Sequence, residues 1–340
     1  MRTASSERHA MTKRSAAPLF TLDELAAAMA VVRSVVPPTP AYAWPLLADR
    51  VGAEVVVKHE NHTPIGAFKV RGGLVYVDAL CRAGPRPNGL VTATRGNHGQ
   101  SIALAAARHG LPLAIVVPEG NSREKNAAMA AFGGELITAG ADFDESRAVA
   151  EDIQRRRGYH YVPAFHRDLV RGVAAYAQEF FASHPDLAVV YVPIGLGSGI
   201  CGLITVRDLL GLKTEIVGVV ADNAPAYALS FASGHVVQTN AARTFADGVA
   251  CRVPSDQALA VILKGAARIV RVNDDEIAEA IRIYYRTTHN LAEGAGAAAL
   301  AALMKEKARY AKKRVGLILS GGNIDMPVLA QILAGQTPVV

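Results

Sequence analysis

At 340 residues, 51% apolar and 19% charged, the chain has the length and composition of a globular protein with one large or two medium domains and a substantial core. Its formal charge of +6 is small for that size. The densest basic stretches (Arg2, Arg8, Lys13 and Arg14; Arg155, Arg156 and Arg157; Lys312, Lys313 and Arg314) lie near a chain end or at element boundaries, which argues against a nucleic-acid partner. Cys81, Cys201 and Cys251 form no C-x-x-C pair and have no histidine at zinc-like spacing. No disulfide framework or metal site is indicated, and a reducing cytoplasm fits.

Residues 1–20 mix Ser, Ala, Arg and Lys without an apolar segment, the pattern of a flexible extension rather than a signal peptide. A first strand is expected over 54–58. The segment 81–88 (Cys-Arg-Ala-Gly-Pro-Arg-Pro-Asn) is the clearest break, separating a large domain (21–80 with 162–340) from a small one (81–161). Beyond it, β-branched runs at 90–94, 113–117, 135–138, 188–193, 215–220 and 315–319 alternate with helical stretches at 100–109, 122–132, 143–157, 168–182, 200–210, 274–285 and 297–306. That alternation is the mark of a parallel sheet wrapped by helices. The uncharged stretch 187–206 could span a bilayer by length, but Pro193 and the glycines at 195, 197, 199 and 202 would break such a helix, so no membrane partner is expected. Asn273, followed by Asp274, Asp275 and Glu276, supplies a capping side chain and acids at a helix start.

Four loops leave expected strand ends. The first runs from Lys58 through Gly66-Ala67-Phe68-Lys69-Val70-Arg71 to the pair Gly72-Gly73. Phe68 and Val70 desolvate Lys69, which favours the neutral amine that attacks an aldehyde; taken alone, a lysine snorkelling from an amphipathic segment accounts for it better. The second loop carries Thr94-Arg95-Gly96-Asn97-His98, where a hydroxyl, successive backbone N–H groups and a helix start suit a carboxylate. A tight structural turn would use Gly and Asn as well, and His98 by itself reads as a hydrogen-bonded structural histidine. The third, Gly195-Leu196-Gly197-Ser198-Gly199, suits a phosphate; Asp222, after the strand at 215–220, keeps a nicotinamide-binding turn as its rival. The fourth, Ser320-Gly321-Gly322-Asn323, could bring a hydroxyl to a cofactor edge or simply turn the chain. Their shared place at strand ends, where open α/β sheets gather ligands, favours the functional reading of all four.

Together these loops resemble those of the fold-type-II pyridoxal 5'-phosphate (PLP) enzymes, specifically the threonine/serine dehydratase and serine racemase group, from Thr39 to Asn323. Gly66 to Gly72 is similar to the family's G-S-F-K-x-R-G, which puts Lys69 on the Schiff-base lysine, next to Phe68. Gly96-Asn97-His98 resembles the substrate-carboxylate loop, with Asn97 on the residue that contacts the cofactor's ring oxygen. The stretch from Gly195 to Gly199 resembles the phosphate cradle, and Ser320 to Asn323 the S-G-G-N that sets a serine hydroxyl near the pyridine nitrogen. Residues 244–249 (Thr-Phe-Ala-Asp-Gly-Val) resemble a segment that brings Gly248 to the cofactor, and 293–297 (Glu-Gly-Ala-Gly-Ala) resemble E-P-S-G-A.

The resemblance implies a two-domain α/β fold like that of the tryptophan synthase β chain, with helix-flanked, mainly parallel sheets in both domains. It also implies bound PLP, a small amino-acid substrate and a homodimer. Lys69 is the implied catalytic residue, freed by the substrate amine to remove the Cα proton. Phe68, Lys69, Asn97, Gly195, Leu196, Gly197, Ser198, Gly199, Gly248 and Ser320 are the implied cofactor contacts; Thr94, Arg95, Gly96, Asn97 and His98 are the implied substrate contacts. Loss of water from a β-hydroxy amino acid would then yield a 2-oxo acid and ammonia. The alternatives on this fold are a β-replacement synthase, a racemase and a dehydratase-like enzyme of ectoine and hydroxyectoine breakdown, which 36–40, 94–100 and 288–294 resemble. A non-catalytic PLP- or nucleotide-binding protein is the alternative outside enzymes.

Several departures narrow the reading. Arg95 stands where racemases of the group carry a serine and dehydratases an alanine; it either meets a second acidic group on the substrate or turns to solvent. Gly172-Val173-Ala174-Ala175-Tyr176 replaces the family's G-Q-G-T-I. The acids that relatives place near a cation are missing at Val220 and Ala226, so no divalent site of the family type is expected. The chain ends soon after Asn323, which leaves no room for an appended regulatory domain.

Overall fold

Val55 and Val57 of one strand face one core while Val56 faces another, the alternation that a strand buried on both sides requires. The computed structural model describes residues 18–339. Ten strands form two sheets among these residues: β1 (Ala41–Ala43), β2 (Glu54–His59), β3 (Leu90–Ala93), β4 (Leu113–Val117), β5 (Glu135–Thr138), β6 (His160–Tyr161), β7 (Val189–Pro193), β8 (Glu215–Ala221), β9 (Arg268–Val272) and β10 (Arg314–Leu319). The larger sheet has the order β1-β2-β10-β7-β8-β9, with only β1 antiparallel to its neighbour; the smaller, β5-β4-β3-β6, is entirely parallel. This is the helix-flanked, mainly parallel α/β architecture expected from the sequence.

The helices of the first half are α1 (Leu22–Arg33), α2 (Pro45–Val51), α3 (Lys69–Ala83), α4 (Asn97–Arg108), α5 (Arg123–Ala131), α6 (Phe143–Arg157) and α7 (Arg167–Ser183). Those of the second half are α8 (Ser198–Leu209), α9 (Ala226–Ser233), α10 (Asp256–Gly265), α11 (Asp274–Thr288), α12 (Gly294–Glu306) and α13 (Met326–Leu333). One face of the larger sheet packs α11 and α12 through Ile277, Ile281, Leu300 and Leu303; the other packs α7 and α8 through Phe180, Phe181, Leu203 and Ile204. The smaller sheet is covered by α3 and α4 on one side and by α6 on the other, through Ala150 and Ile153. No helix among the described residues is long and apolar enough to cross a membrane.

Three expectations need correction. Lys69 does not lie inside a loop that runs to Gly73; it is the first residue of α3, and both glycines are inside the helix. A Cβ on Gly72 would stand 2.8 Å from the Leu169 carbonyl oxygen and one on Gly73 2.2 Å from the Ser101 hydroxyl, so these glycines serve close helix packing against α7 and α4 rather than a turn. The strands β1, β6 and β9 had no counterpart in the sequence reading. The first two are only 3 and 2 residues long, and the third, Arg-Ile-Val-Arg-Val, is a half-exposed edge strand. Of the expected extension, residues 1–17 lie outside the described residues, whereas Phe20 is 1% exposed and belongs to the core around Phe180 and Phe181.

Candidate active site

Because β2, β10 and β7 are neighbours, the segments that leave their carboxyl ends start side by side. Backbone bonds stitch them together. Ala67 and Gly321 form an isolated antiparallel bridge, the Phe68 N–H donates to the Ser320 carbonyl at 3.0 Å, and the Gly322 N–H donates to the Gly66 carbonyl at 2.9 Å. From the smaller sheet, β3 delivers Thr94 to Gly96 and the start of α4 to the same place.

Four helices, α3, α4, α8 and α12, begin here after Phe68, Gly96, Gly197 and Glu293, none of which caps its helix with a side chain. Elsewhere α1, α5, α6, α7, α10 and α11 are capped by Thr21, Ser122, Asp142, His166, Ser255 and Asn273, whereas α2, α9 and α13 are not. An uncapped start leaves N–H groups and the positive end of the helix dipole free for an anion. At α8 the fit to a phosphate is closest, because the loop before it is drawn tight. A Cβ on Gly195 would stand 2.3 Å from the Gly248 carbonyl oxygen, and Gly197 has φ +98° with Ala258 2.8 Å from where its Cβ would be. The Tyr176 hydroxyl donates to the Gly199 carbonyl at 3.2 Å, and its ring meets Phe68 edge-on at 6.0 Å. The Leu196 carbonyl accepts from the Tyr227 hydroxyl at 2.9 Å.

Lys69 occupies the first position of α3, its Nζ 5.3 Å from the centroid of the Phe68 ring. Burial pushes its ammonium group down to about 8, against the opposing pull of Glu293. A substantial fraction of the amine is therefore uncharged near neutral pH. The Lys69 carbonyl accepts from the Ser101 hydroxyl at 2.6 Å, which ties the start of α3 to α4. Thr94 accepts the Gly96 N–H at 3.0 Å and the Gly99 N–H at 3.3 Å through its hydroxyl oxygen, leaving the hydroxyl proton available to a ligand. His98 is buried in the first turn of α4, and Arg95, beside it in sequence, is exposed.

A polar chain closes the site. The Asn323 side-chain N–H donates to Asn97 Oδ1 at 2.8 Å, and Asn97 Nδ2 in turn donates to Glu293 Oε1 at 2.7 Å. Lys125, 7% exposed, reaches from α5 to Asp247 Oδ2 at 3.2 Å and Glu293 Oε2 at 3.4 Å. Burial raises the Glu293 carboxyl above its ordinary range, with Lys125 and Asn97 acting against it. For Lys125 burial acts downward, but the two carboxylates outweigh it and hold the ammonium up. Ser320 is buried at the end of β10. Phe68, Lys69, Asn97, Ser198, Gly248 and Ser320 thus share one region with the Gly195–Gly199 turn and the Thr94–His98 loop. Among the residues singled out from the sequence, Arg95 and Gly248 are exposed at the edge.

Lys125, Asp247, Glu293, Asn323 and Tyr176 were not singled out as site residues. Glu293 and Asn323 lay within segments already marked. Lys125 carries no such signal, since Ser-Arg-Glu-Lys-Asn reads as a solvated helix face and only the tertiary fold buries it.

A desolvated lysine, an anion cradle at a helix start and a buried hydroxyl beside an asparagine form the donor set PLP requires, and these residues fit it. A family model described as "pyridoxal-phosphate dependent enzyme" matches residues 32–321. The chain is 32% identical to an L-threonine ammonia-lyase of Thermotoga maritima, over 93% of this chain and 78% of the relative. It is 29% identical to an L-threo-3-hydroxyaspartate ammonia-lyase of Saccharomyces cerevisiae, over 90% of this chain and 94% of that one. Its fold superposes on the processed form of threonine deaminase isoform 2 from Solanum lycopersicum with a TM-score of 0.84 at 29% identity, covering 94% and 95% of the two chains. With the site geometry and the match along nearly its whole length, the chain belongs to the family of pyridoxal-phosphate-dependent enzymes.

Proposed function

We propose that the protein is a PLP-dependent lyase that removes water from a β-hydroxy amino acid to give a 2-oxo acid and ammonia, with Lys69 holding the cofactor and acting as the Cα base. The observation that carries this reading is a half-buried lysine, its ammonium lowered to about 8 by desolvation, at the start of α3 and beside the uncapped start of α8. PLP supplies an aldehyde for the amine and a ring that takes up the charge developed at Cα.

The residues of this chain do the rest. Lys69, displaced by the substrate amine, is left as a desolvated base whose pKa lies near the working pH, where proton transfer is most efficient. The turn of Gly195, Leu196, Gly197, Ser198 and Gly199 and the first N–H groups of α8 would hold the phosphate. Phe68 and Gly248 would border the cofactor, Asn97 would contact its ring oxygen and Ser320 its ring nitrogen. A hydroxyl at that nitrogen does not favour its protonation, which suits early loss of a β-leaving group over a long-lived carbanion. The substrate carboxylate would lie on Thr94, Gly96, Asn97 and His98 at the start of α4.

Arg95 is exposed and would meet a second carboxylate on a substrate entering from solvent. We assign the chain two domains, 21–80 with 162–340 and 81–161; the smaller sheet lies within 90–161, in keeping with that division. Assembly as a homodimer belongs to the same reading, with the exposed Tyr42, Leu46 and Tyr285 offering apolar surface, and light scattering reads it directly. The free thiols Cys81, Cys201 and Cys251 suit a reducing cytoplasm.

Product analysis tests the function. The PLP-loaded protein, offered serine, threonine, 3-hydroxyaspartate, phenylserine and diamino acids singly, is expected to release equal amounts of ammonia and 2-oxo acid from at least one of them. Activity only with an added nucleophile would indicate β-replacement, and change of configuration without ammonia would indicate racemisation. In Arg95→Ala, activity on 3-hydroxyaspartate is expected to fall relative to serine; an unchanged ratio removes Arg95 from substrate recognition.

A further inference from the structure

A small cavity of about 10 Å³ lies between Lys69, Ser198 and His98. The rest of its wall is apolar, with Leu169 and Val173 from α7 and Ala164 from the loop before it. The backbone N–H groups at the start of α4 would meet the substrate carboxylate, which leaves the His98 imidazole itself without an assigned partner. Its Nε2 is buried and has no hydrogen-bond partner. The Val162 backbone acts on the ring in the direction that favours an N–H; with the proton assigned to Nδ1, the unpartnered Nε2 presents a lone pair. Burial, and then the neighbouring Lys69, push its pKa down to about 3, so the imidazole stays neutral across the working range.

A buried acceptor without a donor costs free energy unless something that enters the site supplies one. The water-eliminating substrate does so, because its β-hydroxyl carries a proton. We propose that His98 Nε2 accepts the hydrogen bond of the substrate's β-hydroxyl, making His98 a catalytic residue that selects and orients the leaving group; this rests on the lyase reading. With its O–H directed at Nε2, the hydroxyl oxygen turns its lone pairs toward the opposite polar wall, Lys69 and Ser198, from which a proton must come if it is to leave as water. The balance is closed: the Cα–H and Cβ–O bonds break, a Cα=Cβ bond forms, and the proton that Lys69 takes from Cα is returned to the departing hydroxide, which leaves as water. No oxidant or second substrate is needed. A neutral imidazole is the right partner, because imidazolium would donate to the oxygen and turn the hydroxyl the other way.

The inference separates substrates by the chemistry of the leaving group. Serine presents an O–H donor; 3-chloroalanine loses chloride, which neither donates a hydrogen bond nor needs a proton. In His98→Phe, which keeps a ring and removes the acceptor, kcat/KM for serine is expected to fall by about tenfold or more while that for 3-chloroalanine stays within about threefold. His98→Gln, which restores an acceptor, is expected to recover most of the serine rate. Parallel losses on both substrates in both variants would mean that His98 only supports the fold, and an undiminished serine rate in His98→Phe would mean that Nε2 does not touch the hydroxyl; either overturns the proposal. Failure of the lyase reading itself is told apart before any substitution, because the unmutated PLP-loaded protein would then eliminate from neither serine nor 3-chloroalanine.

Discussion

At the scale of single residues, the site depends on what burial does to three side chains. Lys69 is desolvated enough for its ammonium to be lowered to about 8, and Glu293 limits the fall. Capture of PLP by the apo-protein needs the neutral amine, so its rate is expected to rise by about tenfold per pH unit below that value and to level off above it. Stopped-flow absorbance between pH 6 and 10 reads this on the protein alone; a rate independent of pH across 8 would show that Lys69 does not make the attack. His98 is driven the other way from usefulness as a base, and its remaining capacity is to accept. Glu293 carries the opposite burden, a buried carboxyl raised by desolvation against the opposing pull of Lys125 and the hydrogen bond from Asn97. Lys69 was legible in the sequence because three further strand-end loops accompany it; its apolar neighbours Phe68 and Val70 alone fit a snorkelling lysine better. The pairing of Lys125 with Asp247 and Glu293 was not, because it joins residues 122 and 168 positions apart.

At the scale of elements, the start of α3 is held by a buried charge network. Arg71 Nε donates to Glu60 Oε2 at 2.8 Å and Arg71 Nη1 to Glu179 Oε1 at 2.9 Å; Lys58 Nζ donates to Glu179 Oε2 at 2.8 Å. The four side chains are at most 5% exposed and tie β2, α3 and α7 together two residues beyond Lys69. Breaking a buried pair from one side leaves uncompensated charge. Arg71→Met should therefore cost about 3–5 kcal/mol in apo-protein stability, measured by urea unfolding. A change below about 1 kcal/mol would mean that the network contributes little to holding α3.

The sequence reading marked the segment around Arg71 as a loop because Gly72 and Gly73 look like punctuation. What decides their role is the approach of Leu169 to Gly72 and of Ser101 to Gly73, 97 and 28 positions away, which no local pattern contains. The opposite case is α11, whose start at Asn273, followed by Asp274, Asp275 and Glu276, is read from the sequence and carries a complete capping box between Asn273 and Glu276. The strands β2, β4, β5, β7, β8 and β10 were legible because they are β-branched runs bounded by turn residues; β9 was not, because charged residues break its apolar run.

At the scale of the whole molecule, function follows from topology. The order β2-β10-β7 lines up three loops, and the smaller sheet brings the fourth to meet them, with Lys125 spanning from α5 to Asp247 and Glu293. Alternating β and α segments made the sheet type legible. They could not give the strand order, which depends on crossovers, nor the facing of the two sheets, which depends on side chains far apart in the chain. What the arrangement adds to the four uncapped helix starts of the site is their convergence, which suits an anionic ligand shared between them.

The central claim is that Lys69 is the residue that holds the cofactor. Reducing the PLP-loaded protein with borohydride and mapping the modified peptide by mass spectrometry tests it most directly. The account predicts a single pyridoxyl adduct on Lys69, absent from Lys69→Ala, whereas an adduct on another lysine such as Lys125 or Lys58, or the same yield from Lys69→Ala, would contradict it.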